Sequence, residues 1–293
     1  MKLPPWFRQK PLDNEGKKIL NLLKGINVNT ICVSGLCPNL NSCFKNKSLT
    51  FLILGDACSR HCRFCAVKKG GHFNSELLKD EPQRIRRVVE ELGLDFVVIT
   101  SVCRDDLPDK GVGYFTKTVQ EIKGISKDIK IELLIPDFGS DQVLLRKIVD
   151  TGVEVIAHNI EVPQPLYKEI KPQADYFFSL EVLRIIKKMN PNIVTKSSLM
   201  LGLGETYSQV ISTIDDLRGT GLDILTLGQY LSPSVNHYPV KEFLSLEKFQ
   251  LYREFALKRG IKVVSSGALV RSSYKAKELY YQVINQNILS FKN

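Results

Sequence analysis

Residues 49–67, LTFLILGDACSRHCRFCAV, join an apolar run of strand length to a loop that carries three cysteines. The run Leu49–Leu54 lacks polar alternation, which is typical of a strand buried on both faces of a parallel sheet. From here to residue 266, strand-like segments alternate with helical patterns. That order predicts parallel strands joined by right-handed helical crossovers, with functional groups at the carboxyl ends of the strands.

The alternation covers most of the chain. Further strands are predicted at Asp95–Ser101, Lys130–Pro136, Val153–Glu161, Ile193–Gly202, Ile224–Leu231 and Ile261–Ser266. Helices are predicted at Pro82–Leu92, Tyr114–Gly124, Asp141–Asp150, Ser179–Met189, Glu205–Arg218 and Ser245–Lys258. Seven strands and six helices indicate an α/β fold, a partial (β/α)6-type parallel barrel over residues 49–266, with a doubly wound open sheet as the alternative. Residues 1–48 and 267–293 are predicted to be extensions packed at the barrel mouth.

The amino-acid composition indicates a globular protein that does not span a membrane. Of 293 residues, 43% are hydrophobic and 25% are charged, which is typical of a globular protein rather than a disordered one. No apolar run approaches the ~18 residues needed to cross a bilayer, and the first ten residues lack the apolar stretch of a secretory signal. We therefore expect a cytoplasmic protein without membrane attachment, with a cleaved organellar presequence left open.

The net charge of +10 favours an acidic partner, whether a nucleic acid, an acidic protein or an anionic cofactor. The sequence has neither zinc-finger spacing nor a basic strand with interleaved aromatic residues, and we expect no nucleic-acid partner. A group of basic residues suits an anionic cluster or an acidic carrier domain, or forms a solvated face: Lys45, Lys47, Arg60, Arg63, Lys68 and Lys69.

The cysteines indicate a metal site. Six of the seven lie between residues 32 and 65, in a chain long enough to bury a core without disulfides. Cys58, Cys62 and Cys65, the downstream triplet, form C-x3-C-x2-C after the first strand. Three thiolates hold three corners of a [4Fe–4S] cube and leave one iron open to a small chelating ligand. The alternative is a zinc site completed by His61 or His72, although zinc sites usually use paired C-x2–4-C units.

A second incomplete set lies nearer the N-terminus. Cys32, Cys37 and Cys43, the upstream triplet, form C-x4-C-x5-C, again one ligand short of a cube. Two incomplete sets indicate two [4Fe–4S] clusters, and a single cluster with spare thiols is the alternative.

Several stretches carry a resemblance to a known family. The downstream triplet resembles that of radical S-adenosylmethionine enzymes, and the wider sequence is similar to the lipoyl synthase family among them. The similar stretches are CVSGLCPNLNSCF at 32–44, residues 49–67, ITSVCRDDLPDKG at 99–111, HNIE at 158–161, TKSSLMLGLGET at 195–206, LTLGQYLSPS at 225–234 and SGALVRSSY at 266–274. The upstream triplet together with RSSY makes the resemblance specific.

The resemblance implies two clusters with different tasks. The downstream triplet would hold the cluster that binds and reduces S-adenosylmethionine, and the upstream triplet an auxiliary [4Fe–4S] cluster. In the family, a serine of RSSY supplies the fourth ligand of the auxiliary cluster. That serine maps to Ser273, with Ser272 as the less favoured neighbour.

The implied reaction is radical insertion of two sulfur atoms at C6 and C8 of an octanoyl chain, with the auxiliary cluster as sulfur donor. Implied partners are octanoylated lipoyl carrier domains, of the glycine cleavage H protein or 2-oxoacid dehydrogenase E2 type, and an electron donor such as ferredoxin or flavodoxin. The alternatives are another radical S-adenosylmethionine enzyme with an auxiliary cluster, such as a methylthiotransferase or a maturase, and a non-catalytic iron–sulfur carrier.

Polar residues at strand ends are candidates for contacts with S-adenosylmethionine. Thr100 and Ser101 close the second strand and are expected to meet the amino group of the cofactor, with loop capping as the alternative. Asn159 and Glu161 alternate at the end of the fourth strand and are expected to meet its ribose. Lys196 on the fifth strand is expected to meet a carboxylate, with a solvated edge as the alternative.

Cys103 is the seventh cysteine and stands where the family usually has an acid. We interpret it as a structural thiol. A role near the cofactor stays open because Cys103 follows the second strand.

Overall fold

The computed structural model describes residues 4–7, 9–71 and 74–290. The chain forms two compact units. The first unit comprises Arg8–His61 and Cys65–Glu154, and the second comprises Met1–Phe7, Cys62–Phe64 and Val155–Asn293. His72, which was considered for a zinc site, lies outside the described residues.

The first unit contains seven α-helices and six strands in its described part. The helices are α1 Asn14–Gly25, α2 Ile31–Ser34, α3 Leu40–Lys45, α4 Ser75–Leu78, α5 Glu81–Leu92, α6 Val112–Lys123 and α7 Gln142–Val149, with a 3-10 turn at Phe138–Ser140. The strands are β1 Asn29–Thr30, β2 Thr50–Ile53, β3 Ala57–Cys58, β4 Lys68–Lys69, β5 Phe96–Ser101 and β6 Lys130–Leu134.

The strands of this unit are mainly parallel. Strands β2, β5 and β6 lie side by side in that order, with a register that aligns Leu52 with Thr100 and Thr100 with Leu134. The short strand β1 pairs antiparallel with β2, and β3 and β4 form a separate parallel pair. Residues 51–53 of β2 are at most 1% exposed, as expected for a strand covered on both faces.

The second unit repeats the alternation of strand and helix. Its strands are β7 Val155–Ala157, β8 Val194–Leu201, β9 Ile224–Gln229 and β10 Val263–Gly267, parallel and adjacent in chain order. Its helices are α8 Tyr167–Ile170, α9 Tyr176–Met189, α10 Tyr207–Arg218, α11 Leu246–Lys258 and α12 Ala276–Ser290, with 3-10 turns at Pro5–Phe7 and Gln164–Leu166. Phe7 is buried in this unit's core, with its ring 5.5 Å from that of Phe243.

The predicted order of parallel strands and helices is confirmed, with element ends moved by a few residues. Among the seven predicted strands, the fourth differs most, because the ladder covers Val155–Ala157 rather than Val153–Glu161. Beyond it, the Ile160 N–H donates to Ser197 Oγ at 3.1 Å, which interrupts the ladder. Glu161, with a φ of 69°, then pairs with β8 again through an isolated parallel bridge to Leu199. The short strands β1, β3 and β4 were not predicted. No helix in the described part of the chain has the length and apolarity needed to span a bilayer.

Candidate active site

A buried carboxylate holds the turn that leads into the cysteine loop. Strand β2 is followed by Leu54 and Gly55, whose φ values are 68° and 86°. Glu81, at the start of α5, accepts hydrogen bonds from both backbone N–H groups, at 2.7 and 3.3 Å. Burial raises the pKa of Glu81 to about 7, against the lowering effect of these two bonds. The turn is therefore fixed by a group that titrates near neutral pH.

Glu81→Gln is expected to remove a pH dependence of stability. The pKa of Glu81 is raised in the folded state. Its contribution to the free energy of unfolding is therefore complete below its unfolded pKa of 4.5 and is lost as the pH rises to about 7. The free energy of unfolding of the variant, relative to wild type, should therefore increase by about 3 kcal/mol over that window. Urea denaturation of both cluster-free proteins between pH 4.5 and 8 measures this difference.

The matched control is Glu91→Gln, which changes an exposed carboxylate of the same helix. Any pH dependence that both variants show belongs to the loss of a carboxylate charge on this helix and is subtracted. A difference between Glu81→Gln and wild type that is constant with pH would contradict the role of Glu81.

Cys58 lies on β3 and accepts several hydrogen bonds within the first unit. Its Sγ accepts from the backbone N–H of Arg60 at 3.4 Å and of Cys103 at 3.3 Å. The Cys103 thiol also donates to it, and this bond is the largest cause that lowers the pKa of Cys58 to about 6, while burial opposes the shift. The same bond and burial raise the pKa of the Cys103 thiol. Cys58 is therefore the thiolate of the pair and Cys103 the donor.

Arg60, within the cysteine loop, is buried in an ion-pair network. Its guanidinium donates to Asp105 at 2.7 and 2.8 Å and to Asp137 at 2.9 Å. Burial lowers the pKa of Arg60, but the hydrogen bonds to Asp137 and Asp105 raise it by more. The solvated-face alternative is wrong for Arg60, because the residue is buried and its guanidinium is paired with these two carboxylates, which restrain the loop.

The next part of the loop, Cys62–Phe64, belongs to the second unit. The Arg63 N–H donates to the Ile170 carbonyl at 2.9 Å, and the Arg63 carbonyl accepts from the Tyr238 N–H at 2.9 Å. Arg63 also pairs with Glu169 at 3.1 Å. Both the N–H and the carbonyl of Arg63 are therefore hydrogen-bonded, which holds the backbone next to Cys62.

The upstream triplet lies on a short helical hairpin in the first unit. Cys32 is in α2, Cys43 is in α3, and Cys37 is in the turn between them. The Cys37 N–H donates to the Cys32 carbonyl at 3.1 Å. Thr30 caps α2 by accepting from the Cys32 N–H at 3.2 Å, and its hydroxyl donates to the Thr50 carbonyl of β2 at 2.7 Å.

All seven cysteines are thiols outside any disulfide, and all are partly exposed. Across residues 4–7, 9–71 and 74–290, no three Cys, His, Asp or Glu side chains converge closely enough to ligate a single metal ion. The described residues thus offer no ready-made mononuclear zinc site. The donor set of each triplet, three thiols within one short segment, fits three corners of a cube.

Asn159 and Glu161 form the centre of a buried polar network in the second unit. The Asn159 amide donates to Glu161 Oε1 at 3.0 Å, and its oxygen accepts from the Ser272 hydroxyl at 3.0 Å. The Lys171 ammonium donates to the Tyr167 hydroxyl at 3.0 Å. Burial raises the pKa of Glu161, whereas the charge of Lys171 and the bond from Asn159 lower it. A strained backbone and a desolvated carboxylate at one strand end are typical of a functional site.

The two serines of RSSY differ in their surroundings. Ser272 is held by Asn159, 113 positions earlier in the chain. Among the described residues, the Ser273 hydroxyl has no hydrogen-bond partner. Both are half-buried. Ser273 is thus the hydroxyl of the pair that is open to an external ligand.

The remaining candidates lie in different environments. The Thr100 hydroxyl donates to the Leu134 carbonyl of β6 at 3.0 Å, which agrees with the capping alternative. Ser101 Oγ is buried without a hydrogen-bond partner in the described part of the chain, and such a hydroxyl is satisfied by an ordered water or by a ligand. Lys196 is fully buried on β8, so the solvated-edge alternative is wrong.

Sequence reasoning missed two charged residues of these networks. Lys171 is 7% exposed and sits beside Glu161 and Cys62, yet no spacing or periodicity marks it. Arg60 was counted with surface bases, although the acidic pair in ITSVCRDDLPDKG offered a signal for a buried partner. Ion pairs between residues far apart in the chain are difficult to predict from local sequence.

Comparisons with known proteins found one matching family and several proteins of similar sequence. The family described as the Radical SAM superfamily matches residues 52–217. Lipoyl synthase of Caldicellulosiruptor bescii is 46% identical over 278 residues, which cover 94% of this chain and 95% of that protein. Lipoyl synthase of Alkaliphilus metalliredigens is 47% identical over 278 residues, which cover 94% of each.

Solved structures share the fold at low identity. Methylornithine synthase has a TM-score of 0.53 at 14% identity, covering 81% of each chain. Coproporphyrinogen III oxidase from Escherichia coli, described as a radical SAM enzyme, has a TM-score of 0.53 at 13% identity, covering 70% of this chain and 51% of that one. Together with the family match, these likenesses confirm the predicted fold class, a partial β/α parallel barrel.

Proposed function

Because the chain belongs to the lipoyl synthase family of the radical S-adenosylmethionine superfamily, we propose that it inserts two sulfur atoms, at C6 and C8, into a carrier-bound octanoyl chain. One observation carries this function: a curated lipoyl synthase is 46% identical over 94% of this chain and 95% of its own length. Identity that spans both proteins end to end supports transfer of the whole activity rather than of one domain.

The cofactors of the family have donor sets in this chain. The downstream triplet is assigned to the cluster that binds S-adenosylmethionine, and the upstream triplet with Ser273 to the auxiliary cluster. When bound, these groups supply reductive cleavage of the carbon–sulfur bond of S-adenosylmethionine and the sulfur atoms to be inserted. Ser273 presents a harder oxygen ligand that holds iron less firmly than a thiolate, which suits a cluster that gives up its sulfur.

The protein's own residues prepare the downstream triplet. Arg60, through Asp105 and Asp137, holds the loop, and the pKa of Cys58 near 6 makes its sulfur a thiolate at neutral pH, the form that binds iron. The backbone bonds of Arg63 hold the segment around Cys62.

For S-adenosylmethionine, we assign contacts to Thr100, Ser101, Asn159, Glu161 and Lys196. The partnerless buried hydroxyl of Ser101 gives the strongest support, since it needs a polar group to bond. The desolvated Glu161 carboxylate suits hydroxyl groups, which donate hydrogen bonds to it, and the bond from Asn159 orients it. Thr100 is the weakest assignment because its hydroxyl already donates to Leu134.

The substrate is an octanoylated carrier protein. Within that class we propose lipoyl domains of the glycine cleavage H protein or 2-oxoacid dehydrogenase E2 type, and ferredoxin or flavodoxin as the reductant. Exposed Lys45 and Lys47 in the first unit support an acidic partner, whereas Lys68 pairs with Asp56 at 3.1 Å. The cytoplasmic location and the division at residues 48 and 266 stay predictions.

Conversion of an octanoylated carrier tests the proposed function. The protein is reconstituted anaerobically with iron and sulfide and incubated with octanoylated H protein, S-adenosylmethionine and a reductant. Mass spectrometry should show an acyl chain that has gained two sulfur atoms, and the same carrier without the octanoyl group should remain unchanged. Cleavage of S-adenosylmethionine without a sulfur-containing product would instead indicate another radical enzyme, and no cleavage would indicate an iron–sulfur carrier.

A further inference from the structure

Asn159 connects residues 271–274, the RSSY segment, to the buried polar network of the second unit. Its amide N–H donates to Glu161 Oε1 at 3.0 Å, and its amide oxygen accepts from the Ser272 hydroxyl at 3.0 Å. An ionised carboxylate only accepts hydrogen bonds, so the amide nitrogen must face Glu161 and the amide oxygen is left for Ser272. Asn159 is 8% exposed, so little water competes for these bonds. The orientation of the Asn159 amide therefore depends on Ser272.

This orientation leaves one donor and one acceptor for a ligand. An amide nitrogen carries two N–H groups, and Glu161 uses one of those of Asn159. Within the residues that the structure describes, the second N–H of Asn159 and the Oε2 oxygen of Glu161 make no hydrogen bond. A donor and an acceptor side by side suit two neighbouring hydroxyl groups, such as those of ribose. Ser272 thus orients the groups that are assigned to the ribose of S-adenosylmethionine.

Ser272 is also the chain neighbour of Ser273, the serine assigned to the auxiliary cluster. Consecutive Cα atoms are about 3.8 Å apart, so a bond that restrains Ser272 also restrains Ser273. We propose that Ser272 is a positioning residue that couples S-adenosylmethionine binding to the placement of Ser273, through its hydrogen bond to Asn159. The inference rests on the proposed function, which assigns Asn159 to the ribose and Ser273 to the auxiliary cluster. Since such coupling is reciprocal, the cofactor restrains the RSSY segment and the restrained segment strengthens cofactor binding.

The affinity for S-adenosylmethionine tests the hydrogen bond. Each protein is reconstituted anaerobically with iron and sulfide, and equilibrium dialysis without a reductant gives the dissociation constant of the uncleaved cofactor. Ser272→Ala should raise this constant roughly fivefold, the usual effect of losing one hydrogen bond. In an Asn159→Ala background, which lacks the acceptor, Ser272→Ala should have no further effect. The matched control is Ser266→Ala, whose lost hydroxyl donates to the Phe249 carbonyl of α11 at 2.8 Å, and it should leave the constant unchanged.

Two further variants separate the hydrogen bond from packing. Ser272→Thr and Ser272→Val introduce side chains of the same shape, and only the first can donate a hydrogen bond. Ser272→Thr should therefore bind the cofactor more tightly than Ser272→Val, and this pair decides the matter where Ser272→Ala fails to fold. Equal constants for this pair, or for wild type and Ser272→Ala, would overturn the proposal. A further loss from Ser272→Ala in the Asn159→Ala background would also overturn it.

Hydrogen exchange measures the coupling itself. In the reconstituted wild-type protein, S-adenosylmethionine should slow amide exchange in the peptide that covers residues 268–275 about threefold, and Ser272→Ala should lose this protection. Equal protection in both proteins would overturn the coupling. A wild-type protein that binds the cofactor but forms no sulfur-containing product would refute the proposed function alone, because these measurements do not require product. A wild-type protein that binds no cofactor would overturn both.

Discussion

Replacement of all three upstream cysteines by alanine is expected to lower bound iron from about eight to about four atoms per chain and to abolish sulfur insertion, while S-adenosylmethionine is still cleaved. The upstream triplet sits on the hairpin formed by helices α2 and α3 and the turn between them, apart in sequence from the loop after β2. Removing its thiols takes away the ligands of one cluster and leaves the downstream triplet intact. Iron and sulfide analysis, product mass spectrometry and assay of 5′-deoxyadenosine measure the three results.

A matched control changes polar side chains of the same hairpin without touching a thiol. Ser34→Ala/Ser42→Ala should keep about eight irons and form the lipoyl product. A wild-type protein with only about four irons would contradict the pair of clusters. So would an upstream variant that still forms the product.

The downstream variant Cys58→Ala/Cys62→Ala/Cys65→Ala is expected to abolish both reactions. Loss of these thiols removes the cluster that takes the electron, so S-adenosylmethionine cleavage should fall to the rate without protein, and iron should again fall to about four atoms. The two triple variants should therefore bind the same amount of iron but differ in S-adenosylmethionine cleavage. The same three assays distinguish them.

His61→Ala is the control for this loop, because His61 is exposed between Cys58 and Cys62. It should keep its iron and its activity. Loss of metal from this variant, or zinc in place of iron in the wild-type protein, would favour the mononuclear zinc site over a cube. Downstream variants that still cleave S-adenosylmethionine would exclude the assignment of this triplet.

Local patterns are sufficient to predict the main parallel strands, whereas the cysteine sites stay predictions. The apolar run at 49–54 predicted a strand covered on both faces, and β2 has that burial. The spacing of each triplet could be read directly because its members lie within one short segment.

Tertiary contacts account for what the sequence did not predict. Residues 158–161, HNIE, were predicted to extend the fourth strand, yet the ladder stops at Ala157: the Ile160 N–H bonds to the side chain of Ser197, 37 positions away, and Glu161 returns to β8 in an isolated bridge with Leu199. From the sequence, Arg60 is expected to be a surface base. In the structure its guanidinium is bonded to Asp137, which lies 77 positions later in the chain. Such pairings form only in the folded chain, so they cannot be predicted from periodicity or composition.

The hairpin of α2 and α3 has a consequence for repeated use of the enzyme. A sulfur donor that is consumed must be refilled after each round, and refilling requires access to its ligands. The two helices have only four and six residues and are not stable by themselves, so the hairpin depends on tertiary contacts such as the fully buried Phe44 of α3. Since Phe44 and the bond from Thr30 to the Thr50 carbonyl hold the hairpin in place, we expect the inorganic core to be restored on the folded hairpin, through thiols that stay partly exposed.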